Sequence, residues 1–309
     1  MPPPAPQHPA SEREVHAIIV AYHGAEEVAA CLAELRGEVP VTVVDNSSSA
    51  EVADAARTHG AGYIDSGANR GFAAGVNVGL AELAGEDVDV LLLNPDAVVA
   101  PAVIRQLASF LARAENERVA AVAPHLRYPG GGEQRVVWPF PSPRRMWGEA
   151  IGLERVAALR RRPPPAGPGT FLIGAVLLLR REAIEDVGGF DERFFVYAEE
   201  ADWQRRAQER GWTSVLCDAA SAEHVSGTAS SGPMRQEALM QDGQETFIRK
   251  WFGDRGWASY RLAALCDAAV RMIVLPGSRR RDAARRALLL LRGPRRYLAL
   301  PPQSDASVD

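Results

Sequence analysis

Cysteine is scarce in this chain, and so are the marks of a secreted, membrane-spanning or nucleic-acid-binding protein. Cys31, Cys217 and Cys266 are scattered and odd in number. They form neither a metal-spaced pair nor a disulfide framework, which points to a reducing compartment. No uninterrupted apolar run is long enough to span a bilayer. The opening MPPPAPQHPASERE lacks an apolar signal-peptide core, and its prolines and polar residues predict a disordered tail over 1–14. A net charge of −4 and an isoelectric point near 5.9 argue against a bulk nucleic-acid binder. There is no Gly-Lys-Ser/Thr phosphate loop, no G-x-G-x-x-G fingerprint and no internal repeat.

What is present is a chain of 309 residues, 47% of them hydrophobic, enough for one large core or a domain with an appendage. The first half alternates short apolar runs with helical patterns. Strands are expected at Ala17–Ala21, Val41–Val44, Tyr63–Ile64, Val88–Leu93 and Val119–Ala123. Helices are expected over Glu26–Arg36, Ala50–His59, Phe72–Leu83 and from Pro101, where proline's missing N–H costs nothing. Such alternation predicts an α/β fold with a parallel, doubly wound sheet and ligands at the carboxyl ends of the strands.

The second half reads differently. Pro129–Pro143 and Arg161–Gly169 are expected to be loops, with a basic helix over Arg144–Arg160 between them. Phe171–Leu179 reads as one long strand, Glu199–Arg210 as a helix stopped by Gly211, and Ser214–Cys217 as a short strand. From Arg235 onward the pattern is helical, with breaks at Gly253, Pro276 and Gly293-Pro294. Arginines crowd Arg271–Arg296 on an otherwise acidic chain. Their mixture with leucines suits a helix in an anionic membrane interface, and equally a helical cap with its arginines in water.

Several segments could carry chemistry. Asp45, followed by Asn46 and two serines, ends a buried strand at a ligand-facing position; an Asx turn explains it equally well. The run Asn69–Asn77, with Gly71, opens a helix whose N-terminus suits a phosphate, although its glycines are explained more simply by close packing on the sheet. Asn94 and Asp96 flank Pro95 where an apolar strand ends. A single aspartate suffices for a Mg²⁺ or Mn²⁺ ion that also has phosphate oxygens as ligands; a plain turn is the alternative.

Glu199, Glu200 and Asp202 open a helix after an aromatic approach through Phe190, Phe194, Phe195 and Tyr197. The helix dipole accounts for one or two acids there. Helical spacing puts Glu199 and Asp202 on one face and turns Glu200 away by about 100°. A carboxylate in this setting can act as a general base. His224 is expected in a polar loop beyond that helix, with a metal or phosphate role set against an ordinary surface histidine. Trp203 and Trp212 read as core; Trp138 and Trp147 are better placed for sugar stacking.

The ordered set VVDNSS (Val43–Ser48), NRGFAAGVNVG (Asn69–Gly79), LLLNPDA (Leu91–Ala97), GAVLLLRREAI (Gly174–Ile184) and GGFDERFFVYAEEADW (Gly188–Trp203) resembles family 2 glycosyltransferases of GT-A fold, and among them the rhamnosyltransferase-like branch. The resemblance runs from about Val15 to Gly227. It implies a Rossmann-like, mostly parallel sheet flanked by helices over 15–232, with a helical, arginine-rich extension over 233–309. It also implies inverting transfer of a sugar, rhamnose from dTDP-rhamnose in first place, to a hydroxyl of a glycan or polyprenyl-linked acceptor.

Carried onto this chain, the resemblance places Asp45 on the nucleoside and Asn69 and Asn77 around the nucleotide pocket. Asn94 and Asp96 fall at the first and last positions of a metal-binding DxD, and His224 joins the metal or diphosphate. Glu200 falls on the base position, with Glu199 before it and Asp202 in support. Two departures stand out: Asn94 replaces an acid, and Glu200 replaces an aspartate and reaches one methylene further. The expected location is cytoplasmic, with peripheral contact at the inner face of the membrane resting on the C-terminal helices. A catalytically silent nucleotide-sugar binder is the rival from another class. A nucleotidyltransferase would need a glycine-rich basic loop after the first strand, which Tyr22-His23-Gly24-Ala25 does not supply. A dehydrogenase lacks its fingerprint.

Overall fold

The computed structural model describes residues 14–152, 166–225 and 232–298. Most of the expected N-terminal tail, and the continuation of the basic helix past 152, lie outside those residues. The first half runs β1 (Val15–Ala21), α1 (Ala25–Leu35), β2 (Val41–Asp45), α2 (Ala50–Thr58), β3 (Gly62–Asp65), α3 (Phe72–Glu82), β4 (Asp89–Leu93), β5 (Ala97–Val98) and α4 (Pro101–Leu111). The middle holds β6 (Val119–Arg127), β7 (Glu133–Gln134), β8 (Val137–Pro139), α5 (Pro143–Ala150), β9 (Thr170–Leu172) and β10 (Val176–Leu179). Then come α6 (Arg181–Val187), α7 (Glu199–Glu209), β11 (Thr213–His224), α8 (Pro233–Val274), α9 (Gly277–Arg292) and α10 (Pro294–Leu298).

The strands β2, β4 and β10 are buried at every position. Continuous apolar runs of this kind belong to a sheet covered on both faces. The order is β3-β2-β1-β4-β10-β6-β11-β5, with β7 beside β6. β1 to β4 pair in parallel, but β10 enters antiparallel between β4 and β6. The sheet is therefore mixed rather than purely parallel. α3 lies against it without side-chain spacers: a Cβ on Gly75 would stand 2.6 Å from Val20, and one on Gly79 2.8 Å from Ile18. Close packing is thus what those two glycines serve.

Three expectations are corrected. Phe171–Leu179 is two strands, not one: β9 pairs with β8 in a separate ribbon and β10 joins the main sheet, the chain breaking at Ile173-Gly174-Ala175. The Pro129–Pro143 loop contains β7 and β8, because the edge of β6 offers β7 a partner that local sequence does not reveal. β11 extends far beyond Cys217, passing register shifts beside β6 before ending at His224 opposite Ala97. His224 is consequently a strand residue held in the sheet.

The helical expectation beyond Arg235 holds. α8 bends at Gly253 (φ 67°, ψ −176°), and α9 and α10 begin after Pro276 and Gly293. These helices do not form a core of their own. Phe247, Ile248, Trp257 and Leu290 share one with Phe194 and Ala201 from the loop and helix that carry the acids. Leu289 and Leu298 pack with Leu239 against Phe195, Val196 and Tyr197. The leucine run of α9 is divided, with Leu289 and Leu290 buried and Leu288 and Leu291 outside.

Candidate functional site

The strand-end site is built by register. β4 delivers Asn94, whose N–H donates to Ala175 O (2.9 Å), and the turn that follows places Asp96 before β5. β11 pairs His224 with Ala97, and Val225 N–H donates to Asp96 O (3.1 Å). His224 Nε2 lies 3.2 Å from Asp96 Oδ1, both side chains nearly enclosed. Gln134 fixes the imidazole from behind: Nδ1 meets its Oε1 at 2.9 Å, and its amide donates to His224 O (2.6 Å). A histidine whose second nitrogen is held in this way presents the first as a ligand. One imidazole and one carboxylate fit a divalent cation that takes its other ligands from a diphosphate and water.

The acid helix begins from a forced turn. Tyr197 and Ala198 both adopt left-handed φ of 71°, a region that costs side-chain-bearing residues of order 1–3 kcal/mol each. Two glycines clamp the segment. A Cβ on Gly71 would lie 2.1 Å from Phe195 O, and one on Gly243 of α8 would lie 2.3 Å from Tyr197 O. Phe72 N–H, the first donor of α3, is spent on Phe195 O (2.6 Å).

Emerging from that turn, Glu199 and Glu200 are pressed together. Glu199 is buried and Glu200 half-buried, and the Oε2 of each is enclosed without a hydrogen-bond partner among the described residues. Burial first, then the neighbouring Glu200 charge, hold the Glu199 carboxyl well above the usual range. Burial also raises Glu200, but backbone N–H groups work against the rise: its own and those of Ala201, Gly174 and Ala198. Of the two, Glu200 has the more backbone donors opposing the rise.

Both acid sites act on Tyr197. Burial raises its phenol, a hydrogen bond with Gln236 opposes the rise, and the charges of Glu199, Glu200 and Asp96 add to it, so all three acids bear on one phenol. The backbone agrees: Asn94 is bonded to Ala175, and a Cβ on the adjacent Gly174 would lie 3.6 Å from Glu200 Cβ. The break in the expected long strand is what brings the sites together. Cys31 lies under the strand end, with Sγ 4.0 Å from Asn94 O; burial and then Asp96 push its thiol up to about 12.

Asp202 departs from its expected place beside Glu199. It is fully buried and accepts from Arg206 Nε (3.0 Å), Lys250 Nζ (2.8 Å) and Trp251 Nε1 (2.9 Å). Lys250 also reaches Asp191 (2.7 Å). Burial tends to raise Asp191, but Arg193 and Lys250 outweigh it and hold that carboxyl far below the usual range. This network ties α8 to α7 and gives both Asp202 oxygens protein partners. A cavity of about 430 Å³ near Arg205 and Glu209 opens at the other end of α7, away from the glutamate pair.

The residues expected around the nucleotide are mostly committed to backbone. Asp45, fully buried, accepts from Ser47 N (2.8 Å), Ser47 Oγ (2.5 Å), Ser49 N (2.7 Å) and Tyr63 OH (3.0 Å), so the Asx turn is present. Asn46 bonds Gly71 O (3.0 Å) and Ser66 Oγ (2.8 Å). Asn69 caps Gly71 N (3.1 Å). Asn77 accepts from Phe190 N (2.7 Å) and donates to Phe190 O (2.8 Å), fixing the loop that leads to the acids. Trp203 and Trp212 are core. Trp147 is half-buried and bonded to Ser259 Oγ (3.1 Å), whereas Trp138 is exposed under the Arg135 guanidinium.

Residues 16–188 match the family described as glycosyl transferase family 2. The chain belongs to that family. It is 32% identical, over 84% of its own length and 91% of the relative's, to the N-acetylglucosaminyl-diphospho-decaprenol L-rhamnosyltransferase of Mycobacterium tuberculosis. It is 29% identical to a low-salt glycan biosynthesis hexosyltransferase of Haloferax volcanii, over 67% of this chain and 66% of that one. Its fold is similar to that of a Pyrobaculum calidifontis mannosyltransferase in complex with GDP-Man and Mn²⁺, with a TM-score of 0.56 and 17% identity over 94% of this chain and 84% of that one. Family and GT-A-like fold are thus those the sequence motifs implied.

Sequence reasoning passed over Gln134, Gly243 and Lys250. Lys250 carried a signal, being the only lysine in the chain. Gln134 and Gly243 carried none, since their roles exist only once β7 meets β11 and α8 meets Tyr197.

Proposed function

We propose that the protein is an inverting glycosyltransferase that moves a sugar, rhamnose from dTDP-rhamnose in first place, onto a hydroxyl of a polyprenyl-linked glycan. The observation that carries this reading is the approach of the two acid sites at the break between β9 and β10, where Asn94 N–H bonds Ala175 O (2.9 Å) and a Cβ on Gly174 would lie 3.6 Å from Glu200 Cβ. A cation-binding edge and an enclosed base facing one cleft are what in-line displacement at an anomeric carbon requires. The 32% identical relative is named for a decaprenol-linked acceptor and L-rhamnosyl transfer, which supports both choices.

In this reading the nucleoside lies at the β2–β3 edge, where Asp45 holds Ser47 and Tyr63 in place. Asp96 and His224 would hold Mg²⁺ or Mn²⁺, with Asn94 beside them, and such an ion would neutralise charge on the diphosphate. Glu200, toward which backbone N–H groups of Ala198, Ala201 and Gly174 are directed, is the base, with Glu199 beside it. Glu200 takes the proton of the acceptor hydroxyl as its oxygen bonds to the anomeric carbon. The bond from that carbon to the diphosphate oxygen breaks, and its electron pair leaves with the nucleoside diphosphate. Base and leaving group lie on opposite sides of the sugar, so configuration inverts. Residues 15–232 carry this chemistry, and 233–309 support it from the cytoplasmic face of a membrane. No helix among the described residues is long and apolar enough to cross one.

The test is a panel of nucleotide sugars scored for release of nucleoside diphosphate, with and without Mn²⁺. Glu200→Gln should abolish release while donor binding persists; turnover retained in that variant would refute the base assignment. A silent binder would release nothing from any donor. Enclosing two adjacent carboxyls, each with one oxygen lacking a partner among the described residues, serves no purpose in such a protein.

A further inference from the structure

Past the Gly253 bend, α8 has two apolar faces where a cap needs only one. Ala263, Ala264 and Ala268 are buried, and Arg261 on that side donates to the carbonyls of Leu290 and Leu291, so α8 and α9 form a hairpin. Leu262, Cys266, Ala269, Val270 and Ile273 form an exposed stripe. At helical spacing they fall within about 100° of arc. Leu262 is 55% and Ile273 85% exposed. The charges around the stripe are mainly arginines. Between Arg255 and Arg281 the only acid is Asp267, which is buried and bonded to Arg271 (2.6 Å), and the exposed Asp254 and Asp282 just outside that span pair with Arg249 and Arg285.

The hairpin tip is unfavourable for a helix in plain water. Arg279, Arg280 and Arg281 are exposed in the first turns of α9, at the positive end of its dipole, where acids would stabilise it. Three cations at that end suit an anionic surface facing them. A second copy of the chain would bring its own arginines against these. An apolar stripe bordered by arginine is the pattern of a helix lying in a phospholipid interface.

We infer that the α8–α9 hairpin docks the protein onto an anionic bilayer, with the Leu262–Ile273 stripe among the acyl chains and Arg279–Arg281 on the phosphates. The stripe lies upstream of the leucine run that the sequence alone favours, because half of that run is buried. The inference rests on the lipid-linked acceptor proposed above and says how the enzyme reaches it. Leu289 of α9 and Leu298 of α10 pack on Phe195–Tyr197, the segment leading to the glutamate pair, so the docked hairpin lies next to the base.

The experiment is flotation of the full chain, without donor, on phosphatidylcholine vesicles with and without phosphatidylglycerol. Wild type should float with the anionic vesicles and far less with the neutral ones. Leu262→Glu with Ile273→Glu should abolish flotation. Arg279→Gln, Arg280→Gln and Arg281→Gln should weaken it about fivefold each, the equivalent of about 1 kcal/mol per cation. Circular dichroism and donor binding in solution should not change in either variant, since every substituted side chain is exposed. The inference is overturned if wild type stays in the pellet, if it floats equally on neutral vesicles, or if sedimentation shows the stripe variant turning a dimer into a monomer. Failure of the glycosyltransferase reading would instead appear in the donor panel, with flotation unaffected.

Discussion

The two sides of α7 hold carboxylates in opposite states. Glu199 and Glu200 are crowded, each with an enclosed oxygen lacking a partner among the described residues, and both are pushed up. Two residues on, Asp202 is buried more deeply yet accepts from an arginine, a lysine and an indole. Burial is common to both sides; a counter-ion is not. A buried charge paired with cations holds structure, while a buried carboxyl met only by backbone N–H groups keeps a raised affinity for a proton.

The largest effect that could break this comparison is at Glu200. Its replacement by Gln should cut kcat by about 10²–10⁴-fold, the usual worth of a general base, with donor affinity unchanged. Next is Lys250→Met, which leaves Asp202 and Asp191 without their shared cation. Removing one partner of a buried pair costs about 3 kcal/mol, so urea unfolding should show a loss of that order. Adding Asp202→Asn to it should cost much less than the sum of the two single changes. Equal losses from Glu199→Gln and Lys250→Met would erase the distinction between the two sides.

Gln134→Ala should act on the strand-end site alone. It frees the His224 ring and should weaken Mn²⁺ binding to the donor-bound enzyme about 10–100-fold, as read by titration, without altering stability. The smallest effect should come from Glu199→Gln. Because Glu199 is raised in the fold, the native state binds more protons than the unfolded chain above the ordinary carboxylate range. Its contribution to stability is complete in acid and is lost as pH rises through the folded value. The Gln variant should therefore melt higher than wild type at neutral pH, the gain vanishing in acid.

Legibility followed distance along the chain. Elements from β1 to α4, apart from the two-residue β5, were placed within a residue or two, because hydrophobic periodicity and the Pro101 start are local signals. β11 was foreshortened and β9–β10 fused, because register with β6 and the approach of Gly174 to Glu200 are settled between segments far apart. The acids were legible as types and motifs. Their states were not: helical spacing grouped Glu199 with Asp202, whereas the left-handed pair Tyr197-Ala198 turned the two glutamates toward Gly174 and Tyr197.

Residue type and order alone determined that this chain makes an α/β sheet, that its carboxylates fall at a strand end and a helix start, and that it belongs to a sugar-transferring family. Periodicity and short motifs need no partner to be read. Tertiary structure decided which carboxylates gain a counter-ion, which histidine nitrogen faces the aspartate, and which apolar residues of the last helices stay outside. Each of those depends on what a distant segment places within a few ångströms, since desolvation and hydrogen bonding act only at contact.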